Sequence, residues 1–92
     1  MNLKLEELNL SRNEISDINI LEKVNFKELK QLGLYNNNIT DIKVLENVKF
    51  EKLELLHLDS NRISSTNILE KITFMELKTL GISSNNITDI KY

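Results

Sequence analysis

Apolar and polar positions along this chain follow a beat of 24 residues. Leu5, Leu29, Leu53 and Leu77 open successive units, and three residues later come Leu8, Leu32, Leu56 and Leu80. Two further on stand Leu10, Leu34, Leu58 and Ile82, then Asn13, Asn37, Asn61 and Asn85, then Ile15, Ile39, Ile63 and Ile87. The remainder of the unit recurs as Leu21, Leu45 and Leu69, as Val24, Val48 and Ile72, and as Phe26, Phe50 and Phe74. Self-similarity at such a period predicts a stack of identical supersecondary units. Around the second and third leucines of each unit apolar and polar residues alternate, which is the pattern of a strand. Leu8 and Leu10 then face inward while Glu7, Asn9 and Ser11 face outward. Four strands joined by equal return segments should pair in parallel, since only a crossover brings the chain back in the same direction. Each unit can bury its apolar side only against a neighbour, so the stacking carries the stability.

The return segment of the first unit reads S-D-I-N-I-L-E-K-V-N-F. Asp17 and Asp41 have the chemistry of a helix N-cap. Apolar residues at 18, 21 and 24 suit a helix of three residues per turn, whereas 20, 21 and 24 suit an α-helix. A short helix is expected, of either type. The third unit carries Ser65 and Thr66 where the first has Asp17 and Ile18, so its helix should be the least well anchored. Phe26, Phe50 and Phe74 should stack as a buried aromatic row. The recurrent asparagines have a structural task. The chain must turn inward after each strand, and the backbone groups freed there need partners. A carboxamide offers both donor and acceptor, so Asn13, Asn37, Asn61 and Asn85 can join the turns of successive coils.

The pattern L-x-x-L-x-L-x-x-N-x-I, present four times in strict register, resembles the leucine-rich repeat family over nearly the whole chain. That resemblance implies an α/β fold. It would be a right-handed, curved solenoid with a four-stranded parallel sheet on the concave face and short helices on the convex face. Residues 1–92 read as a single domain with an incomplete last repeat. Arrays of this kind normally end in polar caps, and none is apparent in the sequence. Leu8 and Leu10 at one end, and Leu80 and Ile82 at the other, would then lack a covering coil. Either the chain is a fragment of a longer array or another copy covers its ends, and in both cases self-association into a homo-oligomer through those residues is expected.

In the family, partners usually dock on the exposed strand positions of the concave face. Carried over, these are Glu7, Asn9, Ser11 and Arg12; Gln31, Gly33, Tyr35 and Asn36; Leu55, His57, Asp59 and Ser60; and Thr79, Gly81, Ser83 and Ser84. Gln31, Tyr35, Leu55, His57 and Asp59 form the expected partner-binding patch. Leu55 is apolar where other copies carry Glu7, Gln31 and Thr79. Tyr35 and His57 are large and amphipathic, and Gly33 and Gly81 flank His57 on neighbouring strands and should leave space beside it. A protein-interaction module with a partner protein is therefore expected. The alternative is a structural module that assembles with its own copies.

Composition narrows the remaining classes. Twelve basic and 14 acidic residues give a formal net charge of −2, without the basic stripe that nucleic acid binding needs. No apolar run approaches a membrane span, and the start of the chain lacks the apolar core of a signal peptide. Cysteine is absent, which removes disulfides and thiol chemistry. An intracellular, cytoplasmic protein is the expectation, without membrane or nucleic acid partners. No cofactor or metal is expected, since a single histidine and scattered carboxylates do not make a ligand set.

A Ser–His–Asp triad can be drawn from Ser83, His57 and Asp59. Successive positions on one strand face lie about 7 Å apart, and an open sheet supplies no oxyanion donors, so catalysis is not expected. The sequons Asn9-Leu10-Ser11, Asn38-Ile39-Thr40 and Asn86-Ile87-Thr88 read as by-products of the repeat. Glu22, Glu46 and Glu70 beside Lys23 and Lys71 read as a solvated polar face.

Overall fold

The computed structural model describes residues 5–24, 26–48, 50–65 and 77–87. Four strands stand where the alternation places them: β1 (Glu7–Asn9), β2 (Gln31–Gly33), β3 (Leu55–His57) and β4 (Thr79–Gly81). They form one sheet in the order β1-β2-β3-β4, parallel at every step. The register puts Leu8, Leu32, Leu56 and Leu80 side by side, so a 24-residue period becomes a straight row of leucines. The ladder runs past the short strands. Leu10 N donates to Gly33 O at 2.8 Å, Leu34 N to His57 O at 2.9 Å and Leu58 N to Gly81 O at 2.7 Å.

Each strand is followed by a turn through left-handed backbone. Arg12, Asn36, Ser60 and Ser84 have φ of 60°, 58°, 57° and 56°, and none of the four is glycine. A side chain there costs roughly 1–2 kcal/mol. The conformation is held by the ladder, through Arg12 N to Tyr35 O, Asn36 N to Asp59 O and Ser60 N to Ser83 O, each 2.9 Å.

The asparagine that follows each of these residues joins two coils. Asn61 is 6% exposed. Its Nδ2 donates to Leu34 O and Leu58 O at 3.0 Å and to Asp59 O at 3.2 Å, while its Oδ1 accepts from Ile39 N at 3.0 Å. Asn37 and Asn85 repeat the arrangement, Asn37 toward Leu10 O and Ile15 N, and Asn85 toward Leu58 O and Ile63 N. Asn13 is exposed and binds only its own turn through Nδ2, to Leu10 O and Ser11 O. A continuous column of carboxamides thus satisfies turns that would otherwise bury unpaired groups.

The return segments settle the helix type. Both described helices are 3₁₀, at Asn19–Lys23 and Lys43–Glu46. Ile18 and Leu21 are buried while Ile20 is 62% exposed, so the three-residue period prevails over the α period. Among the described residues there is no α-helix. The aspartates act one residue earlier than expected. Ile18 and Ile42 occupy the N-cap positions. Asp17 Oδ1 accepts from Asn19 N at 2.9 Å and Asp41 Oδ1 from Lys43 N at 2.8 Å. A short carboxylate reaches the N–H two residues on, an Asx turn rather than a cap. The start of the third return segment, from Thr66, lies outside the described residues, as do Leu69, Ile72 and Phe74.

Between sheet and return segments sits one continuous core. Leu29, Leu32, Ile39, Leu56 and Leu58 are completely inaccessible. Of the expected aromatic row, Phe50 is buried and Phe26 half-buried against the core. The core is densest in the second and third units, where coils flank both sides. Val44 is 6% exposed while its counterpart Ile20, one unit earlier, is 62% exposed. Lys30–Glu6 at 3.8 Å and Lys52–Glu28 at 3.2 Å link coils at the surface, where such pairs contribute little. No helix among the described residues is long and apolar enough to cross a membrane.

Candidate functional site

The core-facing leucines leave every other strand position on the open face of the sheet. In one row the register aligns Glu7, Gln31, Leu55 and Thr79, and in the next Asn9, Gly33, His57 and Gly81. The ladder carries a third row, Ser11, Tyr35, Asp59 and Ser83. All five expected partner-binding residues therefore share one surface. Gln31 is exposed, and Tyr35, Leu55, His57 and Asp59 are half-buried. Half-burial leaves these side chains accessible yet held by neighbours.

His57 stands at the centre. On one side Gly33 lies in an open depression of about 410 Å³ whose walls include Glu7, Gln31, Tyr35 and His57. On the other side stands Gly81. The expectation that both glycines leave empty space beside His57 needs correction. A Cβ on Gly33 would come within 2.8 Å of Asn9 Oδ1 and 3.1 Å of Ser11 Oγ, and one on Gly81 within 2.1 Å of Asp59 Oδ1. The missing side chains admit neighbours from the preceding strands, the in-register Asn9 and the diagonal Ser11 at Gly33 and the diagonal Asp59 at Gly81. Over Gly81 the space is filled by the Asp59 carboxylate.

Asp59 is held by one hydrogen bond and lies beside the imidazole. Ser83 Oγ donates to its Oδ2 at 2.8 Å, and His57 Nδ1 lies 4.0 Å from its Oδ1. The three residues of the drawn triad are closer than a spacing of 7 Å suggests, because side chains lean across strands. The order is wrong for nucleophilic catalysis. Ser83 is bonded to the carboxylate, not to the imidazole, so His57 is not placed to take its proton. Ser11 also differs from a free outward residue, since its Oγ accepts from Tyr35 N at 3.1 Å. Arg12 bends back so that its guanidinium carbon sits 5.9 Å from the centre of the Tyr35 ring, within cation–π range. Among the described residues no three histidine or carboxylate groups cluster as metal ligands.

The positions expected to mediate self-association are less covered than their inner counterparts. Leu8, Leu10 and Ile82 are half-buried, and Leu80 is 36% exposed where Leu32 and Leu56 are inaccessible.

Two family profiles match this chain, one described as Leucine Rich repeats (2 copies) over residues 3–47 and one as Leucine Rich Repeat over residues 52–73. Among solved structures it is similar to an internalin from Listeria monocytogenes, at 29% identity and a TM-score of 0.63. That likeness covers 94% of this chain and 30% of the internalin, so the chain spans less than a third of the length of that relative. No curated protein matches it.

Proposed function

The chain belongs to the leucine-rich repeat family, and from that premise we propose that it captures a partner protein on the concave, open face of its sheet. Proteins of this family are generally interaction modules without chemistry of their own. One observation carries the finer reading. Tyr35 and His57 line a depression at Gly33, and Leu55 stands on the same face, two residues before His57 on β3 and in register with Gln31 of the depression wall. Partly enclosed aromatic and apolar anchors are where interfaces concentrate their binding energy. A lone exposed leucine is ordinary surface. Here an outward Leu55 lies in register with Gln31, one strand from Tyr35.

The test begins with a partner isolated from an extract of the source cell on immobilised protein. Its affinity is then measured for the unmodified chain and for the double substitution Tyr35→Ser, Leu55→Ser. Loss of one anchor worth about 2 kcal/mol weakens binding roughly 30-fold, and loss of both should abolish detectable capture. Far-ultraviolet circular dichroism should stay unchanged, since neither residue is part of the buried core. An unaltered dissociation constant rejects the site.

A second reading, association between copies, is favoured by the exposure of Leu80 and Ile20 relative to Leu56 and Val44. It predicts a mass by light scattering that rises with protein concentration and falls when Leu80 is replaced by lysine. A constant monomer mass up to millimolar protein excludes it.

A further inference from the structure

Asp59 is the most elaborately placed polar group on the open face. Its carboxylate lies over Gly81, where a Cβ would stand 2.1 Å from Oδ1, 2.8 Å from Cγ and 2.9 Å from Oδ2. Only glycine at 81 permits that position. Ser83 Oγ then holds Oδ2 from the next strand at 2.8 Å. The side chain is 31% exposed, so about two-thirds of it is shielded from water. Among the described residues, no lysine or arginine nitrogen lies within 4.0 Å of Asp59. His57 Nδ1, at 4.0 Å from Oδ1, is too far for a hydrogen bond. Oδ1 is left as an oriented acceptor facing the imidazole.

The charge around it points the same way. Across the three outward strand rows, Glu7 and Asp59 are anionic and no lysine or arginine occurs. Arg12, in the turn after β1, is engaged on Tyr35, and Arg62, in the turn after β3, makes no ion pair with Asp59. A half-shielded carboxylate fixed in advance, beside a planar ring and with no lysine or arginine partner among the described residues, is complementary to a guanidinium. That group can donate to Oδ1 while stacking on an aromatic ring.

We infer that Asp59 and His57, with Ser83 and Gly81 as positioning residues, form the seat for one arginine side chain of the partner protein. This deepens the concave-face reading and rests on it. The arginine would approach Oδ1 from the open side of the face, alongside the His57 ring, without displacing Ser83.

The seat can be tested without knowing the partner, using N-acetyl-arginine amide and the uncharged isostere N-acetyl-citrulline amide as probes. Amide and imidazole resonances of the full chain are followed by NMR while each probe is titrated into the tens of millimolar. The arginine probe should give saturable shifts centred on His57, Asp59, Gly81 and Ser83. The citrulline probe should bind at least about fivefold more weakly, the size expected for a partly exposed charge-assisted contact. Asp59→Asn should weaken the arginine probe by a similar factor. Gly81→Ala, which forces the carboxylate aside, should weaken it about threefold with Asp59 still present. Side-chain amide resonances of Asn37 and Asn61 report whether each variant keeps the fold. Equal binding of both probes, arginine shifts that survive Asp59→Asn, or shifts confined to Glu7 overturns the inference. Should the seat fail while Tyr35→Ser and Leu55→Ser still weaken the isolated partner, the concave-face reading stands and only the arginine assignment falls. Should those two substitutions have no effect, the underlying reading falls whatever the probes do.

Discussion

Replacing Asn61 with alanine should destabilise the chain by about 3 kcal/mol or more, a large fraction of the 5–15 kcal/mol available to an ordinary domain. The carboxamide makes four hydrogen bonds in a site that is 6% exposed. Its carbonyl partners each retain another donor: Asn37 Nδ2 for Leu34 O, Asn85 Nδ2 for Leu58 O and Asn36 N for Asp59 O. Ile39 N has no such reserve, and an orphaned buried N–H costs about 1–3 kcal/mol by itself. A cavity and three lost bonds add to that. Asn61→Asp is the sharper variant. It keeps an acceptor for Ile39 N but turns an anionic oxygen toward three carbonyl oxygens, so it should be at least as damaging although nearly isosteric. Asn13→Ala removes bonds to Leu10 O and Ser11 O from an exposed side chain and should cost about 1 kcal/mol or less. Urea unfolding measures all three. Equal midpoints for the Asn13 and Asn61 variants would show that the carboxamide column does not carry the turns.

The second large effect belongs to the leucine row. Leu56 is inaccessible and lies between Leu32 and Leu80 in the parallel register. Truncation to alanine removes its buried surface and leaves a void between coils, a change that costs about 2–5 kcal/mol in well-packed cores. Leu80, 36% exposed on β4, has less to lose, and Leu80→Ala should cost about 1 kcal/mol. The same urea series measures the ratio. A Leu80 variant as unstable as the Leu56 variant would mean that Leu80 is covered in solution, which is the result that association between copies requires.

How much of this was legible in the sequence differs between fold and surface. The strands, their order and the inward leucines follow from the 24-residue beat, because alternation and fixed spacing leave only one way to stack the units. The role of the asparagines was legible for a related reason: the turn creates a deficit of partners that a carboxamide fits. Helix type was not, since Ile20 and Val44 make both periods available and only packing against neighbouring coils separates them. The left-handed turns at Arg12, Asn36, Ser60 and Ser84 gave no signal. Three residue types, Arg, Asn and Ser, occupy these four positions, and only Asn36 has a known tolerance for that backbone. On the open face the residues of the patch could be named in advance from the resemblance. What could not be named was how Asp59 uses Gly81, because that contact is diagonal, between strands, and depends on which way a side chain leans.

The inter-coil bonds also bear on how such a chain changes length over evolutionary time. Ile15, Ile39 and Ile63 each donate to an asparagine 22 residues ahead, and Leu10, Leu34 and Leu58 each accept from one 27 residues ahead. These partners stay matched if one whole period is excised or copied, since every seam is then the same seam. Removing Leu29 through Lys52 would join Glu28 to Leu53 and present the β3 turn to the first coil with its asparagine already in place. A loss of 23 or 25 residues would instead set leucines against the polar row and leave Ile15 N without its acceptor. Unequal crossing-over in whole repeats is therefore a tolerated mutation for this gene, and copy number is a variable that selection can adjust without rebuilding the core.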